Sequence, residues 1–366
     1  MTTASTTPEL FRPLTLRGVT ARNRIWLAPM CQYSCEARDG IPTDWHLVHL
    51  GAHASGGYGL VMTEAAAIVP EGRISPQDAG IWNEAQQQQW QRIATFIRAQ
   101  GAVPAIQLAH AGRKASTYRP FDDHTGSVPA EHNGWLTVSS TDHAFTGYAA
   151  PRRLDTDEVA ALPAQFAAAA ERAVLAGFDV VELHAAHGYL LHQFLSPLVN
   201  DRDDRYGGDF AGRTRLLVET VDAVRAVLPA ESLLFVRFSA SDWAEGGWDV
   251  EQTARISQQL AQRGVDLVDV SSGGAVAEQQ ITVGPGYQVP FARQVRATGG
   301  VPVAAVGMIT EPAQAEQILE RGDADAIFVA RAGLREPSWP LRAGHELGVG
   351  HHDLPYPPQY ERGAWR

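Results

Sequence analysis

The chain has 366 residues, 45% of them hydrophobic, and carries a net charge of −11. That acidity argues against nucleic acid or an anionic membrane surface as partner, and no apolar run approaches the roughly 20 residues that span a bilayer. The opening residues Met-Thr-Thr-Ala-Ser-Thr-Thr-Pro lack the charged and apolar segments of a signal peptide, so a cytoplasmic protein is expected. Cys31 and Cys35 are the two cysteines, too few for a disulfide framework or a four-ligand zinc or iron–sulfur site. No metal is therefore expected.

In chain order, the first feature is the segment 11–23. Its Arg17-Gly18-Val19 turn predicts a hairpin that plugs the bottom of a barrel. Short apolar runs then recur at 24–28, 60–63, 103–108, 180–184, 233–239, 267–271, 303–306 and 326–330. Runs of this length suit strands buried on both faces. Helical patterns lie between them at 44–56, 84–100, 155–176, 209–228, 250–264, 288–299 and 312–322. Gly177, Gly264 and Gly322 supply left-handed caps, and Pro312 opens a helix. Eight such β-then-α units predict an α/β fold, a single (β/α)8 TIM barrel over 1–366. A doubly wound sheet would want Gly-X-Gly-X-X-Gly after the first strand, where the chain has Pro29-Met30-Cys31-Gln32-Tyr33-Ser34. The stretch 114–153, rich in Gly, Pro, Asp and His, is too long for an ordinary connection and reads as an active-site insertion after strand three. The last residues, 356–366, read as a polar tail.

Chemistry in a TIM barrel sits at the C-terminal strand ends. The fourth run ends in His184-Ala185-Ala186-His187-Gly188-Tyr189. Two imidazoles and a phenol at a strand mouth can grip a carbonyl oxygen and deliver a proton. The alternatives are a satisfied core pair, or a metal site for which no third ligand stands nearby. Arg237 inside a barrel is costly without negative charge beside it, from a ligand or from a structural ion pair. Gly273, Gly274, Gly307 and Met308 follow strands six and seven and should expose backbone N–H groups. With Arg331 after strand eight they form a candidate phosphate site. Cys31 reads either as a small buried hydrophobe or, from its strand-end position, as functional.

The His184–Tyr189 motif, together with Asn-Asp-Arg-Asp-Asp-Arg-Tyr-Gly-Gly at 200–208, resembles the Old Yellow Enzyme family of flavin-dependent ene-reductases. The resemblance covers essentially the whole chain. It implies tightly bound, non-covalent FMN with NADPH or NADH as hydride donor, and reduction of the C=C bond of activated alkenes: unsaturated carbonyl compounds, maleimides or nitroalkenes. Cys31, where the classical branch carries Thr, places the chain in the thermophilic-like branch, with the thiol beside the flavin. By the same resemblance Pro29, Met30, Ala65, Gln107, Arg237, Ala330 and Arg331 hold the cofactor, and Gln107 faces its pyrimidine edge. Without the resemblance, Gln107 could equally be satisfied by backbone inside the barrel. Tyr33, Lys114, His184 and His187 meet substrate, and Tyr189 donates the proton. The tail resembles one that reaches a neighbouring subunit's pocket, with Tyr360 and Arg362 at its tip, so a homodimer or homotetramer is expected. Here Ala364 separates Gly363 from the Trp that follows directly in the family.

Other readings use the same barrel. A Schiff-base aldolase needs a lysine at a strand end, and the only lysine, Lys114, lies six residues beyond Leu108. A flavin-binding barrel without turnover would not need the acid–base set. A 2,4-dienoyl-CoA reductase would be expected to carry an iron–sulfur segment, which two cysteines do not supply.

Overall fold

Residues 7–366 are described by a computed structural model; most of the opening segment read above, residues 1–6, lies outside them. Arg17 and Gly18 sit at φ 43° and 92°. That two-residue turn joins β1 (Leu14–Leu16) to β2 (Val19–Ala21) as an antiparallel hairpin. Then follow β3 (Ile25–Leu27), α1 (Asp44–Ser55), β4 (Leu60–Ala67), α2 (Glu84–Ala99) and β5 (Val103–Ala109). The long connection after β5 holds only two short strands, β6 (Val138–Ser139) and β7 (Arg152–Arg153). Next come α3 (Thr156–Leu175), β8 (Val180–Ala185), α4 (Leu190–Leu195), α5 (Phe210–Val227), β9 (Leu233–Ser239), α6 (Val250–Ala261) and β10 (Leu267–Ser271). The chain closes with α7 (Val289–Gly299), β11 (Val303–Ala305), α8 (Pro312–Glu320), β12 (Ala326–Val329), α9 (Arg331–Arg335) and α10 (Trp339–Glu346).

The strands β3-β4-β5-β8-β9-β10-β11-β12 form a closed, wholly parallel barrel, with β12 returning to β3. The (β/α)8 architecture read from the sequence is the observed one. Two of its punctuation marks act as expected. Asp155 accepts the Glu158 N–H at 2.8 Å to start α3, and Gly177 follows that helix at φ 89°. Helices α4, α9 and α10 were not anticipated. The first is a short helix inside a βα loop, and the other two follow the last apolar run, where the sequence reading stopped.

The interior is layered because strand side chains alternate. At the bottom, Trp26, Met62, Phe235 and Phe328 pack with Val103, Val180, Leu233 and Leu267, and hairpin residues Leu14, Leu16 and Val19 press against them. The hairpin therefore plugs the N-terminal end. One inward position further along four neighbouring strands, the residues turn polar: Gln107, Glu182, Arg237 and Asp269, all buried. One more step brings His184, Ser239 and Ser271 to the mouth. A second, larger apolar cluster fills the space between strands and helices. Among the described residues no helix is long and apolar enough to cross a membrane.

Candidate active site

His184, His187 and Tyr189 meet at the mouth of β8. The His184 ring centre lies 5.1 Å from His187 and 5.0 Å from Tyr189, both edge-on. The Ala186 N–H donates to His184 Nδ1 at 3.3 Å, so the neutral ring carries its proton on Nε2. His187 Nε2 lies 2.8 Å from Ser271 Oγ, and the His187 N–H donates to Ser239 Oγ at 2.9 Å. Burial, and after it the Arg237 cation, hold both imidazoles well below the usual histidine range. Both are neutral N–H donors at physiological pH. Burial, then Cys31, pushes the Tyr189 phenol well up, so it keeps its proton.

The turn carrying these groups is strained. His187 stands at φ 57° and Gly188 at φ 73°. A Cβ on Gly188 would fall 2.0 Å from the Gly274 carbonyl oxygen, so only glycine lets the loops after β8 and β10 approach this closely. Lys114 clips the same two loops. Its Nζ donates to the carbonyls of His187 (2.9 Å) and Gly274 (2.8 Å) and lies 4.3 Å from the Phe145 ring centre. Burial, then Arg113, lowers this ammonium to about 8. In this structure Lys114 thus clips the loops after β8 and β10 together.

The loop after β3 brings Cys31 and Tyr33 to the opposite side, with Tyr33 at φ 53°. Glu64 accepts the Gln32 N–H at 3.0 Å and pairs with buried His46 at 3.0 Å, which fixes the loop. Burial, then Asp78 and Glu64, pushes the Cys31 thiol well up, so it is a thiol rather than a thiolate. Ala65 is the register partner of Gln107, across an irregularity in β4.

Below the mouth lies the polar belt. Gln107 Nε2 donates to Glu182 Oε1 at 2.7 Å. Arg237 Nε lies 2.9 Å from Asp269 Oδ2, with the N–H poorly aimed, so both Asp269 oxygens lack a well-aligned donor. Asp269 thus already supplies part of the negative charge that Arg237 requires. Beside β11 and β12 opens a cavity of about 310 Å³ lined by Gly307, Met308, Ala330 and Arg331. The Gly307 and Met308 N–H groups carry no hydrogen bond among the described residues, and exposed Arg331 has no ion-pair partner there. Gly273 and Gly274 differ from expectation. Their N–H groups are taken by Ser241 O and Gln279 Oε1, so they shape the loop rather than expose donors.

Residues 9–349 match the family model described as "NADH:flavin oxidoreductase / NADH oxidase family". The chain belongs to this family. It is 44% identical over 357 residues to an NADPH dehydrogenase of Geobacillus thermodenitrificans, covering 98% of each chain. A similar 44% over 369 residues relates it to an NADH:flavin oxidoreductase of Gibberella zeae, covering 95% of this chain and 88% of the other. Among solved structures, morphinone reductase in complex with tetrahydroNAD superposes with TM-score 0.77 at 28% identity, covering 94% of this chain and 92% of the other. The Old Yellow Enzyme homologue from Zymomonas mobilis gives 0.76 at 28%, covering 93% of each. A 2-naphthoyl-CoA reductase matches in fold alone, with TM-score 0.85 at 23% identity, and this chain spans 52% of it.

In the Old Yellow Enzyme family the cofactor is FMN and the hydride donor NAD(P)H. The residues here fit that cofactor. The free N–H pair at Gly307 and Met308, with Arg331, matches a phosphate. The terminal nitrogens of Arg237 and the Oε1 of Gln107 have no protein partner among the described residues, matching a hydrogen-bonding ring edge.

Sequence reasoning missed several supporting groups. Ser239 and Ser271 anchor His187, and Gln193 Nε2 donates to Ala111 O and Gly188 O. Buried His192 lies 2.9 Å from Asp242 and accepts the Gly188 N–H. Ser239 and Ser271 sat at strand ends, a legible signal; Gln193 and His192 sat in the unanticipated α4. Tyr360 and Arg362 stand exposed on the tail, whose Trp365 stacks on His345 of α10. Neither bonds to the mouth residues.

Proposed function

We propose that the chain reduces the C=C bond of α,β-unsaturated carbonyl compounds, maleimides or nitroalkenes, using NAD(P)H, with NADPH as the preferred donor. The observation that carries this reading is the mouth of β8: two neutral imidazoles and a protonated phenol, with His184 in ring contact with both His187 and Tyr189. FMN held by Gln107, Arg237, Arg331 and the Gly307–Met308 N–H groups would supply the hydride relay between NAD(P)H and the second reactant. His184 and His187 supply N–H groups to the oxygen that gains negative charge. Tyr189 delivers the proton to the carbon next to that oxygen-bearing group. Half-buried Cys31 and Tyr33 close the other side of the pocket. One mouth serving both reactants gives ping-pong kinetics. Anaerobic stopped-flow tests this directly: the purified protein should be reduced by NADPH and reoxidised by cyclohexenone, a maleimide or a nitroalkene. Reduction without alkene reoxidation would refute the assignment.

Two expected outcomes follow from the site's protonation states. A histidine whose pKa is lowered gains charge only in acid, so alkene reoxidation should show no imidazole step between about pH 6 and 8. A step there, abolished in His187→Asn, would mean that an imidazole is charged in the resting site. Cys31→Ala should shift the flavin midpoint potential and change the rates of both half-reactions while FMN stays bound. A thiol held protonated acts here through its contact, not as a nucleophile; an unchanged potential would remove Cys31 from the flavin's surroundings.

We also infer a homo-oligomer in which Arg362, with Tyr360, completes a neighbouring site. The support is that both are exposed and that their side chains make no hydrogen bond or ion pair among the described residues. Deleting residues 359–366 should raise the KM for enones several-fold with the FMN spectrum unchanged, because a guanidinium at the rim holds polar substrate groups. A fully active monomer in gel filtration would overturn this.

A further inference from the structure

The belt below the mouth contains a residue that the chemistry above does not use. Glu182 is fully buried, and its Oε2 has no hydrogen-bond partner among the described residues. Its Oε1 accepts from Gln107 Nε2 at 2.7 Å, and the two residues are register partners on β5 and β8. A primary amide has one donating and one accepting end. Tying the NH₂ end to Glu182 leaves the carbonyl end of Gln107 without a protein partner among the described residues. Arg237 donates only and cannot hold an NH₂ group, and Asp269, an acceptor, is paired with Arg237 on β10 rather than with Gln107 on β5.

We propose that Glu182 is a positioning residue for the flavin: it holds the Gln107 amide with its carbonyl turned to accept from the ring N–H at the flavin's pyrimidine edge. Without the Glu182 acceptor, the amide is free to rotate and to present its NH₂ instead, which meets that N–H donor to donor. Buried carboxyls without full hydrogen bonding are costly, and this one sits where its single bond fixes the polarity of a neighbour. Burial, then Asp269, raises its pKa. A proton on Oε2 leaves Oε1 an acceptor, so the orientation holds in either state.

The inference rests on Gln107 facing the flavin, and the experiment separates the two. The full chain is stripped of flavin and reloaded with FMN or with its N3-methyl analogue, and dissociation constants are read from fluorescence quenching. The wild-type chain should prefer FMN by about tenfold, the worth of one buried hydrogen bond. Glu182→Leu should bring that preference close to unity, and Glu182→Gln, which keeps an acceptor carbonyl, should restore it. A purely structural role for Glu182 would weaken both ligands equally and leave the ratio at its wild-type value, which overturns the proposal. If Glu182→Leu does not fold, Glu182→Asp withdraws the acceptor by one methylene and runs the same comparison. A preference lost in Gln107→Leu but kept in the Glu182 variants refutes the role of Glu182 alone. A wild-type chain with no preference refutes the placement of Gln107 and the inference with it.

Discussion

Tyr189→Phe should slow reoxidation of the reduced enzyme by cyclohexenone roughly 100-fold or more, the usual range for losing a positioned general acid. Flavin reduction by NADPH should stay near the wild-type rate, because hydride transfer to the flavin needs no proton from this residue. The substitution is structurally mild. The Tyr189 hydroxyl makes no hydrogen bond among the described residues, and the ring that packs against His184 and lies 5.6 Å from Lys114 Nζ is kept. Stopped-flow of the two half-reactions separates the possibilities. Equal slowing of both would make Tyr189 a packing residue and move the acid elsewhere. His184→Ala or His187→Ala should behave differently, weakening the binding of phenolic ligands as well as turnover, since an imidazole N–H touches the ligand before any proton moves.

The barrel was legible because parallel strands buried on both faces leave unbroken apolar runs, and eight of them fit no other closed architecture in a chain of this length. The mouth residues were legible because they end those runs or follow them directly, as His184 and His187 do, and Arg237 of the belt because it is a charge inside an apolar run. What the sequence hid was pairing across strands. Glu182 and Asp269 each stand as an acid within an apolar strand, and only the register of β5, β8, β9 and β10 shows that Glu182 lies between Gln107 and Arg237, with Asp269 on the other side of Arg237. The bonds of Lys114 were hidden for the same reason. Its place after a strand end suits a substrate contact, but the approach of two loops at Gly188 and Gly274 puts two carbonyls within its reach. The glycines after β10 looked like phosphate donors, yet the Gln279 side chain a few residues on and the Ser241 carbonyl in the loop after β9 take their N–H groups. Such closures depend on loop shape, which has no period to read.

Arg237→Met should be the most disruptive single change in the site. Removing one partner from a buried ion pair strands the other, at a cost of about 3–5 kcal/mol. The stranded group is Asp269, whose oxygens already lack aligned donors. Its carboxyl is raised by burial and held down by Arg237, so losing the guanidinium raises it further. A carboxyl whose folded pKa lies above its unfolded value adds no penalty below the unfolded value, near 4, where both states hold the proton. The penalty grows as pH rises through the window between the two values. Arg237→Met should therefore be close to wild-type stability at low pH and lose stability progressively toward pH 8, measured by urea denaturation of the flavin-free chain. Adding Asp269→Asn should restore much of that stability, because the uncompensated charge is gone. It should not restore FMN affinity if the guanidinium meets the ring edge as proposed, because that group is still missing. This split distinguishes the two roles of one arginine: neutralising its barrel neighbour, and meeting the cofactor. A double variant as unstable as the single one would show that packing, not charge, holds this layer. A single variant that keeps wild-type FMN affinity and potential would place Arg237 outside the flavin's reach.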